Sequence, residues 1–464
     1  LDYNVYHYGK GGVWDIVHEL TSGIQGTCPM AVTQPALIDE TFDVMEKTWM
    51  VYGGVSDPLS WEEAILLKEE GTSTGYPMNA YFSNFGDMLK EIGLPKLVEM
   101  CEEAEQLIMQ GKAPVNLWRP FPKLDKYSSG KVASGKFRVV STGSFFLLTL
   151  CRRWYSQVEE NLKRSINQIF TITTNDLFHD KVVQRMCDGF TFGIDYSSFD
   201  KNSCSYFVLK SIELLHRLSK RSVPHPIFEY ITLSICQPLS LIIAPNGDQL
   251  VYIMPGTNPS GQFFTSWTNS VSHLAHNMLF VQERLHERQD DYLYDYASLL
   301  SVCTGDDGVE RFDTEEHGLT KAKLLALFIE TSFAIPCKLD LMKTRDGYAL
   351  YPQSLMAPYL NRILVLPTNR TYYQFPLNPK RLLPKLIFKV QGEIKGDINE
   401  IMTERAAGIL NELQGLLYHE FVNPALPRNR ILSEIVKTAE KMGVRPSPPQ
   451  KISGVLWGIA DKIT

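Results

Sequence analysis

Residues 301–312, SVCTGDDGVERF, place two adjacent aspartates in a glycine-flanked turn between two apolar runs. Asp and Gly are turn-formers, so the stretch predicts a β-hairpin with Asp306 and Asp307 at its tip. A bare hairpin tip does not explain why two like charges stand side by side. Two other segments bear on that question. In GIDYSSFD (193–200), Asp195 closes a strand and Asp200 follows five residues later. In GTNPSGQFFTSWTNS (256–270), a tight Ser260–Gly261 loop opens a helix. Thr265 and Asn269, four apart on it, share one face. Each segment has a plain structural reading, since strand-end aspartates cap turns and Ser-Gly before a helix is an N-cap. Taken together they suit phosphoryl transfer, which needs divalent ions to neutralise the reacting oxygens. Adjacent acids at a turn make sense where Mg²⁺ is the missing partner.

Composition narrows the classes. The chain has 464 residues, 44% hydrophobic, 21% charged and 11% aromatic, which is ordinary for a globular protein of two or three subdomains. The longest apolar run, FFLLTLC (145–151), is too short to cross a bilayer. The start, LDYNVYHYGK, has no signal-peptide pattern, and its lack of Met fits a piece cut from a polyprotein. The eight cysteines form no C-x-x-C pair, which predicts reduced thiols in a cytosolic setting rather than disulfides or zinc. A net charge of −6 does not advertise a nucleic-acid binder, yet segments 119–138 and 380–395 are locally basic.

The chain reads as mixed α/β in the middle and α-rich at both ends, with no internal repeat. GLPKLVEMCEEAEQLIMQGK (93–112) predicts an amphipathic helix ending at Gly111. An apolar helix begins at 145, FTFGIDYSSFD (190–200) is a strand running into a turn, and a helix covers about 205–220. A hairpin surrounds Asn246-Gly247-Asp248, and helical periodicity then resumes to about 285.

The order D-x4-D, S-G-x3-T-x3-N, G-D-D resembles motifs A, B and C of viral RNA-dependent RNA polymerases of positive-strand RNA viruses, of picornavirus or calicivirus type. TSTGYP, Thr72 to Pro77, resembles motif G, and GKFRVV (135–140), with Lys123, Lys126 and Lys131 upstream, resembles the basic motif F. The resemblance implies an α+β fold, a closed right hand whose palm is a small antiparallel sheet flanked by helices. The implied division is fingers and fingertips at 1–187, palm with motif A at 188–205, fingers at 206–250, palm with motifs B to E at 251–365 and thumb at 366–464. It also implies template-directed transfer of nucleoside monophosphates from NTPs to an RNA 3′-hydroxyl with two Mg²⁺ ions, for which Mn²⁺ can substitute.

Carried over by position, Asp195 and Asp306 are the principal metal ligands and Asp307 an accessory one. Asp200 and Asn269 hold the incoming ribose, helped by Ser260 and Thr265, because telling RNA from DNA requires hydrogen bonds to the 2′-hydroxyl. Gly261 lets the backbone bend near the template–nucleotide pair. Lys136 and Arg138 contact the triphosphate. Thr72, Ser73, Gly75 and Pro77 line the template path. IPCKLDLMKT offers Lys338 and Lys343 for the motif D proton donor, and Lys-Thr favours Lys343. Arg362 in YLNRIL (359–364) is placed near the primer grip. Thr304 departs from the family, in which many members have Tyr before Gly-Asp-Asp.

The implied partners are RNA template, nascent RNA, NTPs, a protein primer and other viral replication proteins. The implied location is the host cytoplasm, in membrane-associated replication complexes, with no membrane span. A reverse transcriptase shares the palm acids but needs a bulky gate against the 2′-hydroxyl, which S-G-x3-T-x3-N does not supply. A non-catalytic RNA-binding scaffold would not keep all the acids. Three features have plainer readings than function. His273 and His276 in HLAH predict packing rather than zinc binding, TNRTYYQF (368–375) predicts strand packing, and PKRLLPKLIFK (379–389) predicts either a solvated helix face or a product contact.

Overall fold

The computed structural model describes residues 3–5, 16–18, 20, 28–55, 57–123, 126–128, 138–165, 186–243, 249–253, 258–287, 299–353 and 355–358. The chain divides into two compact units, residues 6–124 with 130–360 and residues 1–5 with 125–129 and 361–464. The strands are β1 (Tyr3–Val5), β2 (Arg119–Pro122), β3 (Lys126–Ser128), β4 (Val139–Thr142), β5 (Phe190–Tyr196) and β6 (Leu239–Ile243). They continue as β7 (Gln249–Ile253), β8 (Leu300–Thr304), β9 (Asp307–Phe312), β10 (Cys337–Asp340), β11 (Met342–Thr344) and β12 (Gly347–Ala349). The described part of the smaller unit is the antiparallel ladder β1–β3.

In the larger unit, helices form where apolar residues recur at helical spacing. Along α1 (Pro35–Trp49) the buried residues Ile38, Phe42, Met45 and Trp49 make one stripe. The next helix, α2 (Trp61–Leu66), opens on a capping box in which Ser60 and Glu63 satisfy each other's backbone N–H. Then come α3 (Phe85–Ile92), α4 (Leu94–Met109) and α5 (Phe145–Ser165). The expected helix at 93–112 is α4, and Gly111, with φ of 74°, follows its end. Four more are α6 (Ser205–Leu218), α7 (His225–Cys236), α8 (Thr265–Glu287) and α9 (Gly318–Phe333). The first and third of these match the helices expected at 205–220 and up to 285. The others, α7 and α9, were not foreseen: HPIFEYITLSIC is β-branched and apolar on most sides, so no amphipathic period stands out.

The centre is a four-stranded antiparallel sheet of order β10-β5-β9-β8. The GDD hairpin forms as expected, with Val302 opposite Val309 and Thr304 opposite Asp307. A separate hairpin pairs β6 with β7, its expected tip at 246–248 lying outside the described residues. On one face of the central sheet α8 packs on β8, and α9 packs on β10 and β5. One apolar core runs from α1 and α2 through α5 and α6 to α8, α9 and this sheet. Among the described residues no helix is long and apolar enough to cross a membrane. All eight cysteines are free thiols. The thumb expected at 366–464, YLNRIL, TNRTYYQF and PKRLLPKLIFK lie outside the described residues.

Candidate active site

Successive side chains of a strand point to opposite faces, so the register fixes which residues share a surface. Lys338 lies opposite Asp195, Asp195 opposite Asp307, and Asp307 opposite Thr304. These four therefore form one row across the sheet, on the face turned away from α8. Asp195 and Lys338 are exposed, Asp307 is half-buried, and Asp306 is exposed at the tip. Gly305 reaches the turn with φ of 67°, a value that favours glycine. Its N–H donates to Ser270 Oγ of α8 at 2.8 Å, which anchors the turn to the helix.

Asp200 is where four segments meet. Asn269 Nδ2 donates to Asp200 Oδ1 at 2.6 Å. Asn258 Nδ2 donates to Asn269 Oδ1 at 2.7 Å and to Thr268 Oγ1 at 2.9 Å, and Gln262 Nε2 donates to Asn258 Oδ1. The Asn258 N–H donates to the Asp200 carbonyl at 2.8 Å. Burial pushes the Asp200 carboxyl up to about 6. The Asn269 bond opposes that rise, Asp306 adds to it by like charge, and Arg138 opposes it. Residues of the expected motifs A, B, C and F thus lie within electrostatic reach of one carboxyl.

The remaining expected residues are placed as follows. Ser260 Oγ donates to the Val139 carbonyl at 3.5 Å, and Thr265 Oγ1 donates to the Gln262 carbonyl at 3.0 Å. Gly261 lies in a turn but does not take a left-handed φ, so backbone conformation alone does not require glycine there. A Cβ there would stand 1.9 Å from the Ser141 carbonyl oxygen of β4. Close approach of two backbones is the physical requirement. Thr72 Oγ1 donates to the Glu69 carbonyl at 2.6 Å, and the Gly75 N–H donates to Ser73 Oγ at 3.2 Å. Gly75 has φ of 72°, and a Cβ on it would meet the Gly143 carbonyl at 2.0 Å. Pro77 precedes a single 3₁₀ turn, Met78–Ala80. Lys343 is exposed on β11, opposite Tyr348 in a separate hairpin, whereas Lys338 stands in the row of Asp195. Lys136 and Arg362 lie outside the described residues.

Sequence reasoning did not single out Ser270, Asn258, Gln262, Glu310 or Asp340. Asp340 lies opposite Gly193, on the face of Asp195, and accepts from Tyr351 Oη at 3.2 Å. Its carboxyl is raised by burial, with a further push from Asp195. The signal for Ser270 was its place beside Asn269, on the same helix. Only tertiary packing shows the others.

The donor set suits a hard divalent cation. Asp195 and Asp307 are like charges directly opposite each other, which is unfavourable without a cation to share them. No group of three or more His, Cys, Asp or Glu among the described residues already forms a cage.

The family model described as viral RNA-dependent RNA polymerase matches residues 45–424. Among solved structures, the Sicinivirus 3Dpol RNA-dependent RNA polymerase is similar over 100% of this chain and 93% of that chain. The TM-score is 0.65 at 17% identity, a likeness of fold.

Proposed function

The chain belongs to the viral RNA-dependent RNA polymerases, and from that premise we propose how its residues divide the reaction. The enzyme is an RNA-directed nucleotidyltransferase that takes RNA and NTPs. The observation that carries the site assignment is the row Asp195–Asp307 with Asp306 at its tip, beside the Asp200–Asn269 bond.

Asp195, Asp306 and Asp307 would hold two divalent cations, Mg²⁺ with Mn²⁺ able to substitute. When bound, such ions neutralise charge on the reacting oxygens of a 3′-hydroxyl attack on an α-phosphate. Asn269 and Asp200 recognise the ribose: their bond joins an amide donor to a carboxylate acceptor, and a 2′-hydroxyl can bond to both. Ser260 and Thr265 support that pocket from the loop and first turn of α8. Arg138, close enough to Asp200 to lower its pKa, orients the triphosphate together with Lys136. Lys343 gives a proton to the leaving pyrophosphate, and Lys338 offsets the charge of Asp195 across the strand pair. Thr72, Ser73, Gly75, Pro77 and Gly261 guide the template, and Arg362 the primer. The fingers, palm and thumb follow the boundaries given above. In this reading the enzyme copies a positive-strand genome in host-cytoplasmic, membrane-associated complexes, starting chains on a protein, on an oligonucleotide or without a primer.

The test is extension of an RNA primer on an RNA template with Mg²⁺ or Mn²⁺, comparing rNTPs with dNTPs. Wild type should incorporate rNTPs, and Asp306→Ala should lose synthesis by at least about 10³-fold, as expected for a site built on charge stabilisation. RNA affinity and the melting temperature should be kept. Near-wild-type rates in Asp306→Ala would remove the metal assignment, and incorporation of dNTPs alone would remove the ribose assignment.

A further inference from the structure

The face that α8 turns to the sheet is polar where an apolar one would pack. Asn269, Ser270, His273 and Asn277 lie along it, all buried. Each bonds a polar group of β8, β9, the turn between them or the segment after β5. Asn269 holds Asp200 and Ser270 holds the Gly305 N–H. His273 Nε2 lies 2.7 Å from Glu310 Oε1, and both side chains are 0% exposed. Asn277 Nδ2 donates to the same Glu310 oxygen at 3.2 Å and to Ser301 Oγ at 2.6 Å.

The His273 ring also lies against the backbone of β9. A Cβ on Gly308 would stand 2.2 Å from His273 Cε1, so the strand has no side chain where the ring crosses it. The Tyr196 ring meets His273 edge-on at 4.9 Å, from β5. His276, one turn further along HLAH, is different: it stacks on Phe333 at 4.0 Å and serves packing.

The helix therefore grips the hairpin on both sides of the aspartates. Ser270 holds it at Gly305, just before Asp306. His273 holds it at Gly308 and Glu310, just after Asp307. One residue before Ser270, the same helix carries Asn269 to the ribose pocket. Apolar surfaces slide against each other at little cost, whereas a directed hydrogen bond between buried groups has one register. Burying an ionisable pair is poor value for stability, since well-packed apolar residues often serve as well.

We propose that His273 and Glu310 are positioning residues for polymerisation. Their bond fixes the register of α8 over β9, and so the spacing between the ribose contacts and the aspartates of the turn. Neither is a catalytic residue, because both are sealed from substrate. The proposal rests on the metal and ribose assignments made above.

The experiment compares Glu310→Gln, which keeps an acceptor for His273, with Glu310→Leu, which removes it and fills the space. Steady-state extension with rNTPs and dNTPs is measured beside RNA affinity and melting temperature. Glu310→Gln should stay within about threefold of wild type. Glu310→Leu should lose about tenfold in kcat and about tenfold in rNTP preference, with KM for NTP and RNA affinity little changed. His273→Leu/Glu310→Leu should be no worse than Glu310→Leu, since the bonds that His273 and Asn277 make to Glu310 are already lost in the single variant. Wild-type kcat and preference in a folded Glu310→Leu chain would overturn the proposal. If that chain does not fold, the double variant decides, and a double variant that also fails to fold would make the pair structural and overturn it. Asp306→Ala keeps the two readings apart: if it remains active the metal assignment fails, whatever the Glu310 variants do.

Discussion

Asp200 shows how one side chain can be both costly and useful. Burial raises its carboxyl from 3.8 to about 6, against the pull of Asn269 and Arg138. A raised carboxyl pKa means that the fold prefers the neutral acid. The ionised form then costs stability, with no cost below about pH 4 and the full cost above about pH 6. At about 1.4 kcal/mol per unit, the full cost is about 3 kcal/mol. Asp200→Asn keeps an acceptor for Asn269 but cannot ionise. In metal-free buffer its stability relative to wild type should therefore improve as pH rises from 4 to 7, by up to about 3 kcal/mol. Denaturant unfolding at several pH values measures this, and a difference independent of pH would show that the carboxylate carries no burial cost. In the function proposed above, that cost is offset by use: a carboxylate in this place would hold a ribose hydroxyl.

At the scale of elements, what could be read from the sequence was periodicity and turn chemistry. The GDD hairpin, β5, α4, α5, α6 and α8 all follow from patterns within a few residues. The row of Asp195, Asp307 and Lys338 could not be read so, because register depends on which strands become neighbours. CKLD is too short and too charged to announce β10, yet it brings Lys338 opposite Asp195. Gly261 makes the same point. The family resemblance implied a bend there, and the structure adds a close approach of the Ser260–Gly261 loop to the carbonyl of Ser141. Backbone at 1.9 Å cannot yield as a flexible side chain would. Gly261→Ala should therefore push the loop from β4, costing about 1–3 kcal/mol of stability and raising KM for NTP. Melting and extension assays would show both, and an unchanged KM would separate the loop's position from nucleotide binding.

At the scale of the whole molecule, charge and core make different demands. A net charge of −6 gives no general attraction to RNA, whereas the sequence of segment 119–138 is locally basic. The core, by contrast, is shared. Trp267 on α8 is fully buried two residues before Asn269. Its indole N–H donates to the Ser211 carbonyl of α6 at 2.8 Å, and its ring meets Trp49 of α1 edge-on at 6.2 Å. The helix that carries Asn269 is thus seated in the same apolar cluster as α1 and α6. Trp267→Ala would open a cavity there and remove the indole bond to the Ser211 carbonyl, at a cost of about 3–5 kcal/mol. Because the cluster is continuous, loss of polymerase activity and loss of near-ultraviolet ellipticity should move down in temperature together. Asp306→Ala, whose side chain is exposed, should leave the melting curve in place while removing activity. If activity in Trp267→Ala were lost well below the ellipticity transition, the four-stranded sheet and its Asp306–Asp307 turn would be melting apart from the rest of the larger unit, and the shared core would not be what holds α8 over that turn.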